Sequence, residues 1–208
     1  MSHSVCVLLS LKSGIRRVDQ SCMSEENKQE ELRLGFLTAM EVPNSGYVGG
    51  ILVTNRFGRP SEFQCTSPVR PNRTQEILYG PTLRPFLLGE LIGKTLVERV
   101  DVKPHLVLTE QSDLLELRNH ISIPVALINE KPIAARPQPS PLLEAVPESS
   151  ANFIQIGRHV LRFHQVHQQD REAVQQATRR VSNEVDLSEP FDRIREALKE
   201  TLQAGAIR

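Results

Sequence analysis

The amino-acid sequence predicts an α/β fold of α+β-like character: a mixed sheet with antiparallel N-terminal hairpin strands, a helix, a parallel β-α-β unit, then a C-terminal β-hairpin and two helices. Three observations lead there. Residues 46–76 open with an apolar run rich in β-formers, then a turn, then an alternating strand. Residues 105–128 place a two-turn helical pattern between two apolar runs, a spacing that implies a tight crossover between parallel strands. After residue 150, a second hairpin pattern precedes two segments of helical periodicity.

Residues 31–42 read as the first strand, because Leu32, Leu34, Phe36 and Leu37 lead into the turn signal Pro43-Asn44-Ser45-Gly46. Residues 47–54 and 61–66 read as a hairpin joined by turn residues 55–60. Its first arm is apolar on both faces and so belongs inside the sheet, whereas Phe63 and Cys65 alternating with Glu62 and Gln64 imply one wet face on the second. Pro68, Pro71, Gly80 and Pro81 predict a fixed, extended loop over 67–81. From Thr82, available as a cap, Leu83, Phe86, Leu87, Leu91, Ile92, Leu96 and Val97 follow helical spacing to about Arg99, and Gly89 and Gly93 on one face imply close packing against a sheet.

Residues 105–109 form a buried strand, Ser112-Asp113 cap a short helix to about Asn119, and residues 121–128 form the next strand. Five prolines in residues 131–147 mark a semi-rigid linker. Residues 152–156 and 159–166 flank a Gly157-Arg158 hairpin turn. Residues 170–181 carry Ala173, Val174, Ala177 and Val181 on one side of a helix. The final helix starts at Ser188-Glu189-Pro190, aligns Phe191, Ile194, Ala197, Leu198 and Leu202, and stops at Gly205. The expected organisation is a leader or misassigned start over 1–30, with Met23 as the alternative first residue, a mixed core over 31–130, a linker over 131–150, and the C-terminal hairpin with its two amphipathic helices over 151–208.

Composition narrows the functional classes. Lys+Arg and Asp+Glu both number 25, so the whole molecule exerts no long-range pull on nucleic acid or an anionic membrane, and polyanion binding has to be local. The absence of Trp and an aromatic content of 4% leave few platforms for stacking bases. Cys6, Cys22 and Cys65 have no metal-knuckle or disulfide-framework spacing, which points to a reducing, cytoplasmic setting. The apolar run Val5–Leu11 lacks the features of a secretory signal and is too short to span a bilayer, so no membrane association is expected.

Candidate sites reduce to one. Arg70, Asn72, Arg73, Thr74 and Glu76 share a loop that can hold a carboxylate or phosphate through forked guanidinium bonds, while strand 61–66 places Arg56 and Arg59 at the opposite end unless the proline loop folds back. Glycines 46, 49, 50 and 58 do not form a nucleotide-binding motif, and Gly49-Gly50 within an apolar strand implies a bulge or the close approach of the long helix. On a strand, His159 and His164 point to opposite faces, as do His164 and His167, so no metal site is expected from them. Cys65 shares a face with Phe63 and reads as a small buried hydrophobe, with distant His105 left open as a spatial partner.

Over residues 31–128 the order of three strands, helix, strand, helix, strand resembles the ribonuclease H-like superfamily in topology. The resemblance implies acidic groups on the first strand, on the first helix and at the end of the fourth strand, holding two divalent ions around a phosphate. Glu110, with Glu90 or Glu76, fills two of those positions. Thr38 stands in the first strand, whose only acid is Glu41 at its edge, so the set is incomplete.

No catalytic signature, cofactor motif or metal motif accompanies these features. The sequence therefore leads to a soluble, non-enzymatic binding or regulatory module with an Arg-bearing anion-facing loop, and with a protein partner or a second copy engaged through the C-terminal helices. The alternative is a phosphate- or nucleic-acid-processing domain using Arg70, Arg73, Glu76, Glu90 and Glu110.

Overall fold

Three antiparallel strands, β1 (Arg33–Val42), β2 (Gly46–Asn55) and β3 (Pro60–Cys65), are followed by β4 (Leu106–Thr109) and β5 (Val125–Asn129), which run parallel to β1 and to each other. The hairpin β6 (Phe153–Ile156) and β7 (His159–Phe163) joins β5 through β7, antiparallel. The result is one mixed seven-stranded sheet in the order β3-β2-β1-β4-β5-β7-β6. These coordinates come from a computed structural model that describes residues 32–129, 153–156, 159–167, 169–178 and 186–205. The expected leader over 1–30, the linker over 131–150, the Gly157-Arg158 turn and Val181 lie outside the described residues.

Alternation along the strands splits the core in two, because successive side chains leave a strand on opposite faces. Leu37, Ile51, Val53, Val107 and Val125 meet the helical residues Leu88, Ile92, Leu96, Leu114 and Leu117, whereas Leu34, Phe36, Leu52, Leu108 and Leu161 meet Val174, Phe191, Ile194 and Leu198. The first helical layer comprises α1 (Arg73–Tyr79), α2 (Leu83–Pro85), a π-helical segment Phe86–Gly93, α3 (Lys94–Arg99) and a 3₁₀ helix Ser112–Asn119. The second comprises α4 (Asp170–Thr178) and α5 (Glu189–Gln203).

The adjacent glycines of β2 explain how helices reach both faces. A Cβ on Gly49 would lie 2.2 Å from Ile92 Cγ2, and one on Gly50 would lie 2.8 Å from Ile194 Cγ2. Close approach of the long helix is therefore borne out, and the second glycine does the same for α5. The pair Gly89 and Gly93 has a different neighbour from the one expected. Its Cβ positions meet Leu117 and Glu116 of the 3₁₀ helix, not the sheet, because Ile92 and Leu96 occupy the sheet-facing side.

Two further expectations are corrected. Residues 67–81 are not wholly extended, since α1 fits between Pro71 and Pro81, with Asn72 Oδ1 accepting from the Gln75 amide at 2.8 Å and Gln75 Oε1 accepting from the Asn72 amide at 2.9 Å. This reciprocal box satisfies two amides that the helix start would leave open. The helix after β4 is 3₁₀, with Gln111 rather than Ser112-Asp113 at its N-cap position.

The polar residues of β3 are also buried, Glu62 and Gln64 each being 6% exposed, because the chain leaving α3 covers that face. Glu62 accepts from the Val102 amide and from Gln64 Nε2, both at 2.8 Å. Burial pushes the Glu62 pKa up, but bonds from Val102, Gln64 and Asp101 and the nearby Lys103 charge outweigh it and hold the group below its ordinary 4.5. A depressed folded pKa stabilises the native state at neutral pH; this contribution is complete above the unfolded value and lost as pH falls through the folded one. Glu62→Gln is therefore expected to flatten the fall of the urea midpoint below pH 4.5, measured against wild type across the acid range.

Candidate functional site

The β1–β2 turn positions one wall of a cleft. Asn44 has φ 63° and Gly46 φ 92°, both left-handed, and Ser45 N donates to Val42 O at 3.0 Å. Only glycine fits at 46, since a Cβ there would sit 2.2 Å from Val69 O. Tyr47 and Val69 exchange backbone hydrogen bonds of 2.8 and 2.7 Å, which tie the proline-bearing segment to β2. Arg70 follows at once, and its Nη1 donates to Asn44 O at 3.2 Å.

α1 and the start of α2 supply the opposite wall. Together with the turn they enclose a cleft of about 450 Å³, lined by Arg70, Arg84, Glu41, Glu76, Tyr47 and Leu87 among others. Tyr79 stacks on Phe86 with ring centroids 4.4 Å apart, securing α1 to the π-helical segment. Arg84 Nε lies 2.9 Å from Asp113 Oδ2, so the 3₁₀ helix orients this second guanidinium.

Of the five residues expected to bind, Arg70 and Glu76 line the cleft. Asn72 serves as the helix cap, Thr74 is exposed on α1, and Arg73 pairs with Glu76 at 3.0 Å while remaining 82% exposed. Arg84 was not among the expected residues. It falls inside the helical pattern beginning at Thr82, and no local signal distinguishes an arginine facing a cleft from one facing water.

The cleft is not purely cationic. Arg70 and Arg84 share it with Glu41 and Glu76, so a polyphosphate would meet carboxylates as well as guanidiniums. The other acids implied by the ribonuclease H resemblance stand elsewhere. Glu110 Oε2 pairs with Arg195 Nη1 of α5 at 2.6 Å, and that hydrogen bond raises the arginine pKa against the effect of burial. Glu90 Oε2 faces His120 Nε2 at 3.9 Å, and Thr38 is buried on β1.

The remaining candidates have structural partners. His159 Nε2 accepts from the Leu187 amide at 3.2 Å. His164 and His167 follow the end of β7 instead of alternating along it, which brings their rings to 5.6 Å; His164 faces Glu116 and His167 faces Asn119. Among the described residues no group of three or more His, Cys, Asp or Glu is arranged to hold a metal ion. Cys65 is buried, which pushes its thiol pKa up and makes the thiolate scarce. The His105 ring contacts Arg33, whose amide donates to Nδ1 at 3.0 Å.

Among the described residues, fold and cleft together define an α/β arrangement with a mixed sheet covered by helices on both faces and a charge-balanced groove at the β1–β2 turn. No protein-family model matches the chain, and no curated protein matches it significantly. No helix among the described residues is long and apolar enough to cross a membrane.

Proposed function

We propose that this protein is a non-enzymatic binding module of a reducing, cytoplasmic setting whose groove receives a segment of a partner polypeptide. The observation that carries this reading is α1, which buries none of its residues and leaves Ile77 65% and Leu78 77% exposed on an element forming one wall of the groove. An amphipathic partner segment matches both features. A carboxylate on it accepts forked bonds from Arg70, a cationic group faces Glu41 or Glu76, and apolar side chains cover Ile77 and Leu78.

The C-terminal helices are less suited to that role. Phe191, Ile194 and Leu198 of α5 are fully buried against the protein's own sheet, so its apolar stripe already has a partner. Nucleic acid is also a poorer match to a groove that mixes both signs of charge.

Selection of a random peptide display library on the intact protein tests the proposal. Enriched peptides are expected to combine an acidic with an apolar position and to bind about tenfold more weakly to Arg70→Ala, the loss of one charge-assisted contact. The reading fails if no peptide is enriched over a blank surface, or if Arg70→Ala and Leu78→Ser bind the selected peptides as wild type does. Salt-sensitive oligonucleotide binding abolished by Arg70→Ala and Arg73→Ala would replace it with the nucleic-acid reading.

A further inference from the structure

We propose that the β2–β3 turn is a homodimerisation surface, on which Phe57 of one copy covers an apolar cavity of a second copy while the second copy does the same in return. The turn lies at the opposite end of β2 from the groove. Phe57 is 66% exposed there, so the described residues leave most of its ring in solvent. Arg56 and Arg59, on either side of the Phe57-Gly58 pair, are exposed as well.

The turn that carries this ring is fixed. Asn55 Oδ1 accepts from the amides of Phe57 and Arg59 at 3.0 and 3.1 Å, and Asn55 O accepts from the Gly58 amide at 3.0 Å. Gly58 takes a left-handed φ of 74°, which lets the chain reverse. From α5, Arg193 Nη1 and Nη2 both donate to Gly58 O at 3.2 Å. The Arg56 guanidinium carbon lies 4.6 Å from the centroid of the Phe57 ring. Little conformational freedom is left to lose when a partner covers an aromatic ring held in this way, and aromatic and arginine side chains are the types that concentrate at protein interfaces.

The complement of that tip adjoins it. Between the turn and the start of α5 lies a cavity of about 280 Å³, whose apolar lining includes the buried residues Leu34, Phe36 and Pro190. Asp186 and Glu189 also line it, with side chains 43% and 53% exposed. Glu189 receives Arg193, and Asp186 receives the Ser188 amide and hydroxyl, but a carboxylate offers about four acceptor positions, so half-exposed acids can take a further guanidinium. One patch therefore holds both members of each contact: an aromatic ring with an apolar hollow, and arginines with carboxylates. This charge and shape complementarity selects a second copy as the occupant, because a twofold axis lays each feature of one patch on its counterpart in the other and closes the assembly at two chains.

Sedimentation equilibrium of the full chain over a concentration series tests the proposal. Wild type is expected to dimerise reversibly, and more weakly as salt screens the exposed arginine–carboxylate pairs. Phe57→Ser is expected to raise the dimer dissociation constant about thirtyfold, the scale of losing one anchor side chain, with the circular dichroism spectrum unchanged because the ring is exposed. The reciprocal arrangement adds a second readout. A chain carrying Arg56→Glu with Arg59→Glu, and a chain carrying Glu189→Lys, are each expected to dimerise about tenfold more weakly alone. Their equimolar mixture is expected to associate more tightly than either, because the reversed tip of one then meets the reversed rim of the other. The proposal is overturned if wild type is a monomer up to about 1 mM, where even a weak contact registers. It is equally overturned if Phe57→Ser dimerises as wild type does, or if the mixture is no tighter than its components.

Discussion

Arg118→Ala is expected to lower unfolding stability by about 3–5 kcal/mol, the usual cost of leaving one member of a buried ion pair uncompensated. All three guanidinium nitrogens of Arg118 are engaged. Its Nε donates to Asp170 Oδ2 at 2.5 Å, Nη2 to Asp170 Oδ1 at 3.0 Å, and Nη1 to Ile121 O at 2.7 Å. The two charged side chains are only 12% and 5% exposed. Three elements depend on this group: the end of the 3₁₀ helix, the connection into β5 and the first turn of α4. The loss would take a large fraction of the total stability of a typical domain, about 5–15 kcal/mol.

Urea denaturation measures the effect through its midpoint. Replacing both partners with apolar residues, as Arg118→Met with Asp170→Leu, is expected to recover most of the loss, because no charge is then left buried. A single Arg118→Ala variant as stable as wild type would show that water reaches Asp170 and that the pair is not sealed.

Phe191→Ala is the second large effect, at about 3–5 kcal/mol, from lost burial and the cavity left behind. Phe191 is 0% exposed in the first turn of α5 and meets the Phe36 ring edge-on, with centroids 5.4 Å apart and planes at 82°. That contact, with Ile194 lying over Gly50, holds α5 to the centre of the sheet. A double-mutant cycle with Phe36→Leu and Phe191→Leu is expected to return a coupling of about 0.5–1.5 kcal/mol beyond simple burial. Additive destabilisation across the cycle would remove the aromatic contact from the account and leave only the area term.

Much of the sheet was legible because strand signals are local. β2 is apolar on both faces and lies between β1 and β3; the short apolar runs that became β4 and β5 pair in parallel; the second hairpin and the Pro190 start of α5 also match. α1 was missed although its signal was present. The Asn72 and Gln75 capping pair was outweighed by Pro71 and Pro81, yet prolines just outside a two-turn helix do not obstruct it. Glu62 and Gln64 were misjudged for another reason: alternation reports which residues share a face and cannot say that the chain at 101–103 returns to cover it.

The candidate site was half legible. Arg70 and Glu76 were identified from composition around the prolines, whereas Arg84 required knowing that α2 lies across from the β1–β2 turn. The Arg118–Asp170 clamp had no sequence signal, since its members are separated by 52 positions and each resembles an ordinary surface charge.

What the chain determines on its own is the set of strands and helices and their inward faces, because periodicity, caps and turn residues act over a few neighbouring positions. The tertiary structure alone decided which faces are covered, which charges meet and where the groove at the β1–β2 turn opens. Those outcomes depend on contacts between distant segments, whose energies no local pattern encodes.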